Sequence, residues 1–361
     1  MKLLFTFFIP SGGLETLNRL RSRALRLAGI ESHLLYLQDG AGRQNLTDTT
    51  HFITNDDADI RSIIETYSYD AVIASCDHLM PPRLRGLGYV GPILYEAQGL
   101  GDLREARQTL VDAGPWLRGF TQAIISPPTV HLMELFNALY PDLPRFYLQN
   151  MVDTDRFAHR PAPWLNPEGK PVVSWIGRLE PNKNWPLFLY IAGELAKRKP
   201  DLEVWMFVDE NLAQAGERER FQALVQELGL GGRLTVRSNV PHDQMPLYLS
   251  ATGDSHGLLL STSNTEGFGY AVAEAMGCRC PVLATDSDGV RAFITPHVTG
   301  KFFARDDLEG AVSSALELMD NRASAESIRA AAQQHIRSGF SLARYAADMV
   351  NVLTALGIHR V

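Results

Sequence analysis

The chain is poor in cysteine, poor in lysine, and without long apolar runs. Three cysteines, Cys76, Cys278 and Cys280, are an odd number at spacings that build neither a disulfide framework nor a zinc site. That usage suits a reducing, cytoplasmic setting. No stretch approaches the roughly 18 to 20 apolar residues that span a bilayer, so no integral membrane segment is expected. The apolar start, residues 1–9, is short, breaks at Pro10-Ser11-Gly12-Gly13 and is followed by no small-residue cleavage site. It reads as a first buried strand and not as a signal peptide. Lysines number six against 28 arginines, and none falls between Lys2 and Lys170. The formal net charge is −7, and both halves are mildly acidic, which argues against a nucleic-acid partner because phosphate backbones demand a basic face. No G-x-G-x-x-G follows the first strand, whose turn is Pro10-Ser11-Gly12-Gly13, so a dinucleotide fingerprint, and with it a nicotinamide-dependent dehydrogenase, lacks support.

What is present is a globular composition, 45% apolar and 21% charged. At about 150 residues per domain, this length predicts two or three domains. Short apolar runs at 2–9, 33–37, 71–75, 92–95, 122–125 and 146–148 read as strands. Helical spacing is seen at 14–27 and 57–66. Residues 160–171 then hold four prolines, which continue neither a helix nor a central strand. The alternation restarts with strands at 172–176, 203–208, 234–237, 258–261 and 281–284. Helices fall at 186–197, 217–228, 245–249, 270–276, 308–319, 325–337 and 342–356. Apolar strands alternating with helices predict an α/β protein with parallel sheets covered on both faces. The layout expected is a domain over 1–160, a linker over 161–171 and a second domain over 172–340. A terminal helix in 341–361 is expected to cross back to the first domain. Ligands of such sheets bind at the carboxyl ends of strands, here in a cleft between the two domains.

Four segments carry chemistry. In the first, Ser261 to Met276, a strand enters a loop with Glu266-Gly267-Phe268-Gly269 and a helix opens at once, with Glu274 in its second turn. The helix start offers unpaired amides and positive dipole, and glycines let phosphates approach them. A carboxylate accepts two hydroxyl hydrogen bonds, which suits a ribose diol or a sugar ring; a strand–helix turn with a capping glutamate is the plainer account. In the second, Ile176-Gly177-Arg178-Leu179-Glu180-Pro181-Asn182-Lys183, an Arg fork and a Lys point charge beyond a strand end can hold a diphosphate. As an isolated pair they would be solvated surface charges. The third, Asn150 to Phe157, is a polar turn with a buried Phe. The fourth, Pro10 to Gly13, is another helix start where amides could meet an anion.

Other clusters read as bland. Asp286-Ser287-Asp288 has the form of a metal-binding D-x-D but precedes Gly289 in a loop, and no metal is expected there. Arg19, Arg21, Arg23 and Arg26 make either an anionic-lipid or acceptor patch or, more simply, an exposed helix face. Of His33, His51, His78 and His131, His78 is the best placed for an acceptor-site base, and each is more simply structural or exposed.

Together the four segments resemble retaining family-4 glycosyltransferases (glycosyl transferases group 1) of the GT-B architecture, two Rossmann-like β/α/β domains whose parallel sheets face a central cleft. The resemblance is carried by the E-x7-E pair Glu266 and Glu274 with Gly-Phe-Gly between, and by Gly177-Arg178-Leu179 with Lys183. The Asn150–Phe157 segment also looks like the family's N-G-V-D…F run. It implies a hexosyltransferase that takes a sugar from a nucleotide-diphosphate donor, a UDP-sugar first among candidates, with retained configuration and without metal or other cofactor. The acceptor it implies is a small molecule, a glycan or a lipid-linked molecule, which the sequence does not identify. Arg178, Lys183 and Glu266 would be catalytic. Gly12, Gly13, Arg178, Lys183, Glu266, Gly267, Phe268, Gly269 and Glu274 would bind the donor, Glu274 through the ribose hydroxyls. In the Ile93–Gly99 segment Gln98 stands where relatives carry His, and Gln98 and Glu96 are candidate contacts of donor sugar or acceptor. Other departures are Met151 and Arg279 in place of glycines, and Asp209-Glu210 in place of a Gly-rich turn. A sugar-nucleotide epimerase or hydrolase on the same fold, or a non-catalytic sugar-nucleotide-binding protein, is the alternative.

Overall fold

The computed structural model describes residues 1–101, 103–209 and 216–359; Glu210 lies outside them. The chain divides into two units, Met1–Met151 with Phe340–Val361, and Val152–Gly339. In the first unit the order is β1 (Lys2–Phe7), α1 (Gly12–Leu27), β2 (Glu31–Tyr36), β3 (His51–Ile53), α2 (Asp57–Tyr67), β4 (Ala71–Ser75), α3 (Met80–Gly86), β5 (Ile93–Glu96), α4 (Leu103–Phe120), β6 (Ala123–Ser126), α5 (Val130–Leu139) and β7 (Arg145–Tyr147). The second unit runs β8 (Val172–Ile176), α6 (Trp185–Arg198), β9 (Glu203–Val208), α7 (Glu217–Glu227), β10 (Leu234–Ser238), α8 (Met245–Asp254), β11 (Leu258–Ser261), α9 (Tyr270–Gly277), β12 (Val282–Thr285), β13 (Lys301–Phe303), α10 (Leu308–Asp320) and α11 (Arg322–Gly339). The last helix, α12 (Leu342–Ala355), returns to the first unit and packs on α1.

Strands without polar alternation need cover on both faces, and they have it: every residue of β4, β5, β6 and β12 is buried. The first sheet has the order β3-β2-β1-β4-β5-β6-β7 and the second β10-β9-β8-β11-β12-β13. All their pairings are parallel. Each sheet therefore grows outward in both directions from its first strand, which makes each unit Rossmann-like. The reversal falls between β1 and β4 in one unit and between β8 and β11 in the other, where crossovers to opposite sides leave a crevice at the strand ends. In the second unit Trp175, Trp185, Phe188 and Leu195 of β8 and α6 join Leu258 and Leu260 of β11 in one core. Gly257 opens β11 hard against β8: a Cβ there would lie 1.9 Å from the Val172 carbonyl oxygen. Gly257→Ala must therefore push backbone from backbone, and we expect a stability loss of about 1–3 kcal/mol, read from urea denaturation.

Two expectations change, and one long helix had no expectation. By packing, the chain divides at 151/152, ahead of the expected linker at 161–171 and its edges at 160 and 172, and at 339/340, one residue from the expected edge at 340. The reason is packing: Phe157 is buried in the second unit, its carbonyl lying where a Cβ on Gly277 would come within 2.5 Å, and Ala162 is buried as well. The basic stripe on α1 is exposed only in part: Arg26 faces solvent, but Arg19 and Arg21 are buried, Arg19 against Glu15 at 3.2 Å and Arg21 against Glu96. Finally, the 18-residue α4 went unread. Gly114-Pro115 breaks its pattern, yet Ala106, Leu110, Ala113 and Leu117 keep a helical stripe on the core.

Candidate active site

Two loops that lie far apart in sequence leave the carboxyl ends of adjacent strands β8 and β11, paired through Leu258 with Val173 and Leu259 with Ser174. After β8 the chain turns through Gly177 and Arg178 into a short 3-10 turn, Pro181–Lys183, and then takes a left-handed step at Asn184 (φ 47°) into α6. After β11 it makes the loop that ends at Gly269, whose φ of 84° and contact with Val290 leave no room for a side chain.

The two loops are stapled. Asn182 Oδ1 accepts from the Thr265 amide at 3.1 Å and its hydroxyl at 2.9 Å. The Asn182 amide group donates to the Thr265 carbonyl at 3.2 Å, and Asn264 N donates back to the Asn182 carbonyl at 2.7 Å. Beneath them Trp175 Nε1 donates to Thr262 Oγ1, which donates to the Lys183 carbonyl. The result places Lys183 Nζ 2.7 Å from Glu266 Oε1, an oxygen that also accepts from Ser263 Oγ at 2.7 Å. The structure thus brings together Lys183 and Glu266, 83 positions apart. Arg178 is 44% exposed and pairs with Glu180 at 3.0 Å. Phe268 turns its ring inward against Tyr270 and Phe293, while Gly267 stays partly open to solvent. The phenyl group anchors the loop, so the loop presents backbone and not an aromatic face. Gly289 closes the back of the loop, its amide donating to the Glu266 carbonyl.

Glu274 is nearly buried and accepts from His242 Nε2 at 2.8 Å. Asn182 and His242 escaped the sequence reading. Asn182 lies inside the segment that ends at Lys183 but had no role there, His242 sits in no motif, and only the tertiary structure carries them to their partners. Asp286 and Asp288 are both engaged by Arg291, at 2.7 and 2.9 Å, and the Asp286 partner raises the affinity of that guanidinium for its proton.

In the first unit the start of α1 at Gly12 and Gly13 is exposed, with Gly12 in the left-handed region at φ 67°. Glu96 is a correction. It was expected at a ligand, but it is 1% exposed. Both of its oxygens take Arg21 Nη1, at 3.0 and 2.9 Å, and Ser75 Oγ donates to it at 2.6 Å. As the last residue of a central strand it points into the layer under α1 and not at solvent. Gln98, two residues on, is half-buried; its amide donates to Glu96 Oε1 at 2.9 Å and accepts from Asn150 at 2.7 Å. Burial pushes the Cys76 thiol up to about 11, so it is no ready nucleophile. Asp77 caps α3 by accepting from Leu79 N and Met80 N, and burial raises its carboxyl above the usual range. His33 is sealed among Tyr67, Tyr69 and Phe52 and contacts Glu31, which makes it structural.

Residues 158–335 match the family described as glycosyl transferases group 1, which spans nearly the whole second unit; that unit is a glycosyl transferases group 1 domain. Its two Rossmann-like units have the GT-B architecture of solved glycosyltransferase structures. Among these is Anabaena HepE in complex with UDP-glucose, with a TM-score of 0.83 at 17% identity, covering 98% of this chain and 100% of that one. Sucrose-phosphate synthase from Thermosynechococcus elongatus gives 0.81 at 16% identity and covers 99% of both chains. In sequence, a 2-deoxystreptamine N-acetyl-D-glucosaminyltransferase of Niallia circulans is 26% identical over 172 residues, 48% of this chain and 42% of the relative. The chain spans about two fifths of the length of the first curated relatives it matches. No helix among the described residues is long and apolar enough to cross a membrane.

Proposed function

We propose that the protein is a glycosyltransferase that moves a hexose-type sugar from a nucleotide-diphosphate donor, a UDP-sugar in the first instance, to an acceptor hydroxyl, with retained configuration. The observation that carries this reading is the Lys183–Glu266 pair, held by the Asn182 staple at the carboxyl ends of β8 and β11 beside the start of α9. Breaking a sugar–phosphate bond leaves extra negative charge on the diphosphate. Lys183, Arg178 and the amides at Gly267, Phe268 and Gly269 are fixed positive groups that stabilise such charge without reorganising. No metal is required in this scheme, because the neutralising charge comes from side chains and a helix start. Glu266, braced by Lys183 and Ser263, is offered to donor-sugar hydroxyls, and Glu274 to the ribose. For the first unit we assign the acceptor to the surface near Gly12, Gly13 and Gln98. With Glu96 sealed, Gln98 is the side chain there that can hydrogen-bond a sugar, and it does so without titrating. Three thiols without a disulfide agree with a cytoplasmic setting. Support also comes from the family match of the second unit and from the neighbour's bound UDP-glucose.

A thermal-shift series with UDP, GDP and ADP tests the reading. A nucleotide present at 100 times its dissociation constant adds about 2.7 kcal/mol of stability. We expect UDP to raise the melting temperature most; no shift with any of the three refutes the proposal. Rapid conversion of a UDP-sugar in the absence of acceptor would instead favour an epimerase or hydrolase.

A further inference from the structure

Glu274 does not stand alone. His242, in the turn between β10 and α8, donates from Nε2 to Glu274 Oε1 at 2.8 Å; a carboxylate can only accept, so this ring nitrogen carries the proton. On its other side the imidazole packs on Phe157, with ring centroids 4.8 Å apart and planes 51° from one another. Phe157 is itself immobile: its side chain is buried, and its carbonyl lies so close to Gly277 at the end of α9 that no Cβ fits between. The imidazole is therefore clamped between a fixed ring and the carboxylate, and both His242 and Glu274 side chains are largely withdrawn from solvent.

We infer that His242 is a positioning residue for ribose recognition. It takes up Oε1 and sets the rotation of the carboxylate, so that Oε2 is the acceptor presented to the two ribose hydroxyls. The inference rests on the reading of Glu274 as the ribose-binding group. A buried carboxylate left to rotate would lose part of its hydrogen-bond energy to ordering, and a hydrogen-bonded, charge-assisted partner removes that cost before the ligand arrives. The same arrangement gives the Val152–Phe157 segment a purpose beyond connecting the two units, since Phe157 supplies the surface against which the imidazole is held.

The test is the affinity difference between a nucleoside diphosphate and its 2′,3′-dideoxy counterpart, measured by calorimetry for UDP, GDP and ADP on the whole chain. The wild-type protein should prefer the ribose form by about tenfold or more. His242→Ala should abolish most of that preference while leaving affinity for the dideoxy form nearly unchanged, and His242→Gln, which keeps a donor, should restore part of it. A preference undiminished in His242→Ala overturns the inference. So does an equal loss in both variants, which would assign the effect to packing on Phe157. A wild-type protein that binds both forms alike overturns the ribose reading of Glu274 itself, and this shows before any variant is made.

Discussion

Glu96→Ala should unfold the first unit more readily than any substitution at its surface. The Arg21 guanidinium has no solvent exposure, and Glu96, at the end of β5, meets it with both oxygens. Arg21 also lies over the Phe5 ring, its central carbon 4.4 Å from the centroid. Removing the carboxylate strands a cation in the layer between α1 and the sheet, and breaking such a buried pair costs about 3–5 kcal/mol. Gln98 and Ser75 lose their acceptor in the same step, because both donate to Glu96. The measurement is urea denaturation combined with amide hydrogen exchange in β1, β4 and β5, which localises the loss to the first unit. A midpoint equal to the wild type in both would disprove the assignment. The double replacement Arg21→Met with Glu96→Leu should recover much of the loss, since it removes both desolvated charges and keeps the volume. The pair thus specifies how α1 seats on the sheet and is a poor source of net stability.

Lys183→Ala should leave the fold intact and cut turnover by about 10²–10³-fold, as removal of a preorganised donor at a site of developing charge does elsewhere. Lys183 reaches Glu266 across the stapled loops, so in the proposed reaction its loss would remove one positive charge from the diphosphate and also free the carboxylate proposed for the sugar. Arg178→Ala should have a smaller effect on fold and a comparable one on rate, because its side chain is 44% exposed and its partner Glu180 lies two positions away. Turnover is followed as UDP released from a UDP-sugar, and the melting temperature reports the fold. Wild-type rates in both variants would remove the proposed role of the cations. A collapse of melting temperature in Lys183→Ala would show that the pair serves the loop staple instead.

These outcomes separate what the residues announce from what the fold arranges. The apolar runs over β4, β8 and β11 have no polar face to offer solvent, so they demanded layers on both sides and a parallel sheet, and β8, β9 and β11 begin and end where the pattern says. Elements that depart from that pattern stayed dark. β3 and β13 are three-residue strands that pair at sheet edges, too short to show a period. α3 is only seven residues long, too short to show a helical stripe, and α4 carries a proline inside, where local propensity argues against a helix that core packing stabilises.

At the site the same division holds. Glycine at 267 and 269, the two glutamates and the rare Lys183 are legible because a tight loop that opens directly into a helix constrains residue type locally. Glu96 was misjudged for the opposite reason: a charged residue beside a candidate loop looks available, and only the burial of Arg21, 75 positions earlier, withdraws it. His242 meets Glu274 across 32 positions and Asn182 meets Thr265 across 83. Local pattern, set by the alternating demand for cover and by backbone sterics, was enough to determine most of the strands and helices and a glycine-lined helix start. Which side chain faces which was decided in three dimensions, because the order of strands about each reversal point, not distance along the chain, chooses the neighbours.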